Sequence, residues 1–479
     1  MDNSLNLVAF DCGNSSIRTI LCRFDGKKVV SELILQEPNE MTVSGGYYYW
    51  DMPRIFGILK KGLSMAAEKA DKIDSVGICT WGVDFQLSDD DDFLEKALCY
   101  RNTIGEEQLS LLPEKTKRDM FYRTGILCDK INSIYMLRGI KEHMPSVMER
   151  AKKIFLVPDI FVYMFTGKEM NEPSELSTTQ MLDVRTMAIS REQCEYAGVS
   201  PELFSEIGRH GRLIGNIKRE ILDEIGIAYD IPFVCVPSHD TACAVMAIPS
   251  GEEKYLFVSS GTWALIGAQC PEPVVNEKVL DARLTNETGA FGRTTLLRNS
   301  AGMFIVQRLK AEYENETGSK ISWNDFTALA DDYTGEIRTF DVNDGRLFNP
   351  EVMVRQICAM ISPSQEEETA KGRYCWPEIL ASTYASLGDS YAETLSTVKE
   401  CTEETYREVY IVGGGSKNAA INQRCADRIK MPVVACDMEC SSVGNAVVQI
   451  AYFHPEYSYE RLRGIIVDSL QVKRYDPKE

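Results

Sequence analysis

From residue 6 the chain reads NLVAFDCGNSSIRTILCRFDGKKVVSELILQ, two β-rich apolar runs around a small polar turn at Cys12–Ser16. DGKK makes a second turn, so this stretch predicts three antiparallel strands in a meander. Residues 53–70 carry helical periodicity, and DSVGICTWGVDFQLSD returns as a buried strand running into a polar loop. Helical periodicity dominates from 104 to 230, punctuated by Pro113, Pro145, Pro158 and Pro173. The cluster Ile248–Gly251 (IPSG) marks a boundary. After it YLFVSSGTWALIGAQC predicts strand, small-residue turn, strand, and GAFGRTTLLRN a third strand. REVYIVGGGSKNAAINQRCADRIKMPVVACD then predicts strand, glycine turn, helix, strand. The two halves share this plan without sharing letters, which predicts a duplicated α/β domain, residues 1–247 and 248–479. The last thirty or so residues are expected to pack back on the first domain.

A length of 479 residues also favours two domains over one core. The formal charge of −19 disfavours nucleic acid and anionic membranes as partners. Fifteen cysteines are scattered with no CxxC pair, and the opening MDNSLNLVAFDCG has no basic stretch followed by a long apolar one. These features predict thiols in a reducing cytoplasm. With four histidines in the chain, a Cys/His zinc cluster is disfavoured. The longest uncharged stretch, YLFVSSGTWALIGAQC, is too short and too polar to span a bilayer. The run Asp89–Asp92 reads as a solvated hairpin tip.

Chemistry enters through four small-residue turns: DCGNSS, SSGT, VGGGSKN and the SHDT of VPSHDTACAV. Consecutive N–H groups at a tight turn form an anion-binding nest, and glycine lets phosphate oxygens approach the main chain. Two such turns at equivalent places in paired domains suit ATP. The P-loop, dinucleotide and nucleophile-elbow motifs are absent: Gly167–Lys168 is followed by Glu169, and Asn418 stands where a dinucleotide fingerprint needs its last glycine. Asp11 is either a turn former or a Mg²⁺ ligand. In SHDT, Ser238 or Asp240 is a helix N-cap for TACAVMAI, or Asp240 is a general base at the mouth of a cleft.

AFDCGNSSIRTIL, GICTWGVDFQL, VPDIFVYMFTGK, VPSHDTACAV, FVSSGTWALIG, LLRNSAGMFIVQR and IVGGGSKNAAINQRCAD, in that order and at those separations, resemble the FGGY carbohydrate kinases from about residue 7 to 450. The resemblance implies two actin/hexokinase-like (ribonuclease H-like) α/β domains flanking a deep cleft. It implies ATP and Mg²⁺ as cofactors, and transfer of phosphate to the O1 hydroxyl of a small ketose. TWGVDF and SHDTA–SSGTW point to L-rhamnulose rather than glycerol or xylulose, with L-fuculose as a related alternative. On the matched positions Asp240 is the base, and Gly82, His239, Asp240, Thr241 and Asn299 contact the sugar. Asn14, Ser15, Ser16, Ile17, Arg18, Thr262, Gln307, Gly414 and Gly415 hold ATP, and Asp11 orients Mg²⁺.

The sequence departs from the family pattern at Ile17, where SSGR has glycine, and at Cys79, where GIDTWGVDF has aspartate. It departs again at Asn102 and Ile104 within the stretch matching YRDSRT. These departures in the sugar-binding half predict an active kinase whose preferred sugar has drifted. The competing readings are a non-catalytic sugar- or nucleotide-binding relative, an actin-like ATPase and, on VGGG alone, a Rossmann oxidoreductase. Oligomeric state, monomer or homodimer, has no signal in the residues.

Overall fold

The first three apolar runs form the strands their alternation predicts, β1 (Leu5–Cys12), β2 (Ser16–Phe24) and β3 (Val29–Pro38), paired antiparallel in that order. Helix α1 (Met52–Ala67) follows, with Pro53 in its first turn and Ile55, Leu59 and Leu63 on its buried face. A Cβ on Gly62 of this helix would fall 2.0 Å from Thr19 Oγ1, so only glycine allows α1 this close to β2. Strand β4 (Ser75–Thr80) is buried throughout and lies parallel to β1, with Asp11 opposite Cys79. Helix α2 (Pro173–Thr178) is fully buried. Strands β5 (Arg212–Asn216) and β6 (Pro232–Cys235) complete a six-stranded sheet of order β5-β6-β4-β1-β2-β3, and β6 leads into helix α3 (Asp240–Met246).

The computed structural model describes residues 4–90, 92–94, 96–361, 374–436 and 440–478, in two units. The first takes Met1–Glu253, Gln269–Leu296 and Glu439–Ser469; the second takes Lys254–Ala268, Leu297–Met438 and Leu470–Glu479. Between these units the chain leaves the first and rejoins it twice. The first unit's main core gathers Val8, Phe10, Trp50, Ile55, Phe161, Phe165 and Phe233 on the sheet. A satellite core around Leu87, Ile104, Leu137, Leu176 and Met181 fills the largely helical insertion. The expected acidic hairpin tip closes through Asp89 N–H to Asp92 O at 3.1 Å, with Asp91 outside the described residues.

The helix Cys440–Phe453 belongs to the first unit despite its late position. Its Gln449 donates to Val8 O at 3.0 Å and accepts from the Ser75 hydroxyl at 2.6 Å. A Cβ on Gly444 would fall 2.0 Å from Cys243 O, so this helix crosses α3 at backbone contact.

The second unit repeats the first unit's plan. Strands β7 (Tyr255–Ser260), β8 (Trp263–Cys270) and β9 (Thr294–Ala301) are followed by helix α4 (Phe304–Thr317), the long helix α5 (Trp376–Thr402), β10 (Val409–Val412), α6 (Ala419–Ile429), β11 (Val433–Cys436) and β12 (Val472–Tyr475). The strands lie in the order β9-β8-β7-β10-β11-β12, with β10 parallel to both β7 and β11. The order third, second and first strand of a hairpin series, then a parallel strand, is the order β3-β2-β1-β4 of the first unit. The shared hydrophobic pattern of the two halves thus reflects a shared topology. The described cysteines are free thiols, and no described helix is long and apolar enough to cross a membrane.

Candidate active site

The SHDT turn is built where β6 ends and α3 begins. The N-cap position is His239, in extended conformation and with no side-chain cap bond. Ser238 Oγ instead donates to Val236 O at 3.1 Å, and Asp240 is already the first helical residue. Neither Ser238 nor Asp240 is therefore the N-cap that the sequence allowed. Asp240 Oδ1 accepts from the Thr241 hydroxyl at 3.2 Å, and its side chain keeps 40% of its surface accessible. Thr241 itself is buried. Desolvation raises the Asp240 carboxyl above the usual range; His239 opposes this and Asp11 adds to it. A recessed carboxylate that solvent still reaches, at the first turn of a helix, is suited to accept a proton.

The His239 ring stands between two carboxylates. Nε2 is 3.6 Å from Asp240 Oδ1, and Nδ1 is 3.2 Å from Oε2 of Glu287 on the strand Thr285–Thr288. The Nδ1 contact lies off hydrogen-bond geometry, so charge rather than a directed bond holds it. Burial lowers the imidazole pKa, but Glu287 and then Asp240 outweigh it, and the ring is pushed up to about 9. His239 is accordingly an imidazolium at neutral pH. Sequence reasoning missed Glu287, which lies just before the GAFG stretch but outside every motif that the turns and the family pattern single out.

Gly82 lies against the other end of the ring. A Cβ there would come within 3.2 Å of His239 Nε2 and 3.2 Å of Thr178 Cγ2. The next residue, Val83, has φ 71°, a left-handed conformation rarely adopted by a β-branched side chain. Its N–H donates to Thr178 Oγ1 at 3.0 Å, and its carbonyl accepts from the Ser133 hydroxyl. Asp84 then ties the turn to the core by accepting the indole N–H of Trp50 at 2.6 Å and of Trp81 at 2.9 Å. Burial pushes its carboxyl up to about 7 against the two indole bonds. The stretch TWGVDF is a strained turn held from both sides.

Asp11 sits at the end of β1, buried, with Oδ2 accepting from Arg18 Nη2 at 2.6 Å and from the Ser441 hydroxyl at 2.6 Å. Cys79 Sγ is 3.9 Å from Oδ1 and 3.6 Å from Phe10 O. A hard cation carried on phosphate oxygens needs one or two carboxylate oxygens from the protein. Oδ1 of Asp11, which among the described residues has the Cys79 thiol beside it, is an oxygen of that type. No cluster of three His, Cys, Asp or Glu side chains that could hold a metal by itself occurs among the described residues.

The first turn closes through Gly13 N–H to Ser16 O at 2.8 Å, leaving Asn14 and Ser15 exposed. Ile17, expected among the ATP-holding residues, is fully buried and paired with Glu37 of β3, so its side chain is not offered to a ligand. It pairs with Cys12 across the hairpin and its φ is not positive, so the strand does not require the family's glycine. The other departures have packing reasons as well. Asn102 Nδ2 donates to Tyr48 O and Cys99 O, each at 2.8 Å, which a carboxylate could not do. Ile104 is a core residue on which Gly139 closes, with room for no arginine. Cys79 is fully buried, which places its side chain in the core.

In the second unit the SSGT and VGGGSKN turns pack on each other. Cβ atoms on Gly413 and Gly415 would fall 2.9 Å from Ser260 O and 1.9 Å from Ser260 Oγ. Gly413 also has φ 83°. Gly414 and Thr262 are exposed, and α4 is tied to the first turn by Phe304 N–H to Thr262 O at 3.1 Å. Gln307 and Asn299 are exposed as well. Gln307 lines a cavity of about 300 Å³ with Phe304, Arg308, Phe348, Asn349, Pro350 and Met353. The Trp263 ring lies 5.1 Å from that of Phe304 and 5.6 Å from that of Phe348. The structure thus brings Gly82, His239, Asp240 and Thr241 together in the first unit, with Asp11 near enough to act on Asp240. Thr262, Gly414, Gly415 and Gln307 gather in the second, with Asn299 on β9.

Comparison with known proteins matches residues 6–247 to the N-terminal domain of the FGGY family of carbohydrate kinases and residues 256–452 to its C-terminal domain. A rhamnulokinase of Halalkalibacterium halodurans is 31% identical over 471 residues, covering 98% of each chain. One of Bacteroides thetaiotaomicron is 29% identical over 480 residues, 99% of this chain and 96% of the relative. Among solved structures, a gluconate kinase from Lactobacillus acidophilus superposes with a TM-score of 0.81 at 16% identity, over 99% of this chain and 94% of that one. A glycerol kinase from Plasmodium falciparum, solved with ADP, gives 0.76 at 14% identity over the same shares. These two share the fold, and the sequence relatives span both domains. The chain belongs to the FGGY family of carbohydrate kinases.

Proposed function

We propose that this carbohydrate kinase phosphorylates the O1 hydroxyl of L-rhamnulose, giving L-rhamnulose 1-phosphate and ADP. The reading is carried by the His239–Asp240 pair, a cation 3.6 Å from an accessible carboxylate at the start of α3. It is supported by curated rhamnulokinases about 30% identical over nearly the whole chain.

Asp240 takes the O1 proton as the oxygen attacks the γ-phosphorus of ATP. The O1–P bond forms, the bond from the γ-phosphorus to the bridging oxygen breaks, and ADP leaves with that electron pair. Gly82 and His239, with Thr241 and Asn299, position the ketose, and orientation carries much of the rate. Asn14 to Arg18 offer N–H groups and a guanidinium to phosphate oxygens. Thr262, Gln307, Gly414 and Gly415 hold the remainder of the nucleotide. Asp11 would hold Mg²⁺, which neutralises charge on the phosphates. The protein would work in the cytoplasm, where ATP is supplied.

A screen of ADP release over ketoses and aldoses, with Mg²⁺, tests the reading. L-Rhamnulose is expected to give the highest kcat/KM, with little ADP released in the absence of sugar. A higher value with L-fuculose replaces the substrate. Sugar or ATP binding without turnover on any sugar replaces the enzyme by a binding protein.

A further inference from the structure

The contact between Glu287 and His239 has no part in the reaction as written above, yet it fixes the charge beside the base. Both side chains are recessed, His239 13% and Glu287 17% exposed, so their attraction is weakly screened. The two ring nitrogens are used differently. Nδ1 faces Glu287, while Nε2 faces Asp240 and the bare α-carbon of Gly82, where the missing side chain leaves room.

We propose that Glu287 is a positioning residue for phosphoryl transfer: it holds His239 as an imidazolium, so that Nε2–H is offered to a sugar oxygen next to the Asp240 carboxylate. The inference rests on the proposed role of Asp240 as base and adds a residue that acts on it through His239.

The surroundings of the ring support this. The charged groups acting on His239 come from several packed elements and are carboxylates: Glu287 from its strand, Asp240 from α3, and Glu172 from the residue before α2. Glu175 of α2 accepts from the Thr80 hydroxyl at 3.1 Å, and burial, with Glu172, Asp159 and Asp240 adding to it, pushes its own carboxyl well up, so it too supplies no cation. Burial alone would make the imidazole neutral. A neutral ring would leave Asp240 facing Asp11 without a compensating charge, and the Asp240 carboxyl would rise further. Glu287 prevents this by making the protonated ring the stable form. A sugar oxygen then meets a charged donor at Nε2, and Asp240 stays ionised to receive the O1 proton.

With four histidines in the chain, the imidazole ¹⁵N spectrum of the protein free of sugar and nucleotide reads the ring directly, and His239→Gln assigns it. Wild-type His239 is expected to titrate at about 9. In Glu287→Gln it is expected at about 6.5 or below, the range of an unpaired or buried imidazole. Glu287→Asp, which keeps the charge, is expected between the two. In turnover the alkaline limb of kcat/KM for the ketose should move down with the ring. At pH 8 this is a loss of about tenfold or more that narrows towards pH 6, with the KM for ATP unchanged. A wild-type His239 titrating near 6.5, or one unmoved by Glu287→Gln, overturns the inference. Should Glu287→Gln not fold, the wild-type titration and Glu287→Asp decide alone. If the ring behaves as expected but no ketose is phosphorylated, the charge relationship stands and the proposed function falls.

Discussion

The backbone N–H of His239 donates to Ser174 Oγ at 3.0 Å, and the Ser174 hydroxyl donates in turn to Glu172 Oε2 at 2.5 Å. Glu172 is buried and also accepts Glu175 N–H at 2.8 Å and His210 Nε2–H at 2.5 Å, while His210 Nδ1 accepts Phe291 N–H at 2.8 Å. His239 is therefore held from two sides, by its main chain through this chain of bonds and by its ring through Glu287.

Glu172→Gln tests the main-chain half. An amide offers one acceptor oxygen and places an N–H₂ group against donors, so buried bonds are lost. The expected loss of stability is about 2–4 kcal/mol. Because the fold lowers the Glu172 carboxyl (burial raises it, but His210 outweighs burial), its ionised form is stabilising. That contribution is present above the ordinary carboxylate range and lost as pH falls, so the gap between wild type and variant should shrink in acid. Chemical denaturation at several pH values checks both points. Equal stability at neutral pH would show that Glu172 does not hold the network.

Asp240→Asn is expected to lower kcat by roughly 10²–10⁴-fold, the range for losing a general base. The Asp240 side chain makes no cap bond and is partly accessible, so the unfolding midpoint should hardly move. Because the fold raises the Asp240 carboxyl, the acid limb of kcat/KM should lie above the ordinary carboxylate range. A wild-type kcat in the variant would remove Asp240 from the mechanism.

Gly82→Ala places a methyl group 3.2 Å from His239 Nε2 and from Thr178 Cγ2. That separation is tighter than ordinary contact, so the ring or the turn must shift. A displacement of this size near reacting groups is expected to raise the sugar KM or lower kcat by about tenfold or more. The KM for ATP should be unaffected. Steady-state kinetics in both substrates separates this from a general loss of fold.

Much of this arrangement was readable in the residues because it is local. The strands β1 to β3 follow from alternation, and the turns at Cys12–Ser16, SSGT and VGGGSKN from their small residues. His239 and Asp240 stand out as ionisable neighbours in an apolar run. The parts that were not readable depend on contacts distant in sequence. Glu287 meets His239 from the strand Thr285–Thr288, far along the chain, and no local pattern pairs the two residues. Val83 carries no letter that announces a left-handed backbone, since its strain is imposed by Thr178 and Ser133. The N-cap was misplaced by one residue, because a preference for Ser or Asp at such ends does not see that Ser238 turns back to Val236.

Asp84 supplies a prediction about pH and stability. Its folded pKa of about 7 lies well above the unfolded value, so the protonated form is the one the fold favours. Stability from this group is complete below the unfolded carboxylate pKa and is lost as pH rises to about 7. The full loss is of the order of 4 kcal/mol at this buried site. Asp84→Asn does not titrate, so its stability relative to wild type should improve between pH 4 and pH 7. A flat difference over that range would place the Asp84 pKa near its ordinary value.

Cys79 tests whether the departures from the family pattern concern the sugar. The thiol is fully buried and donates to Phe10 O at 3.6 Å, and its residue lies directly opposite Asp11 in the parallel pairing of β1 and β4. An aspartate here would put a second buried carboxylate beside Asp11, where Arg18 already serves the first. Two like charges at adjacent strand positions, both out of water, carry a penalty of several kcal/mol unless one is protonated or a cation joins them. Cys79→Asp is therefore expected to lower the unfolding midpoint, and added Mg²⁺ with nucleotide should restore part of the loss by supplying the missing charge. Cys79→Ala removes only the sulfur and should leave the KM for L-rhamnulose within about twofold, at a stability loss of about 1–2 kcal/mol. Thermal unfolding with and without Mg²⁺ and nucleotide, set beside sugar kinetics, checks both variants. A Cys79→Asp protein with unchanged stability and a lower sugar KM would instead place residue 79 at the sugar.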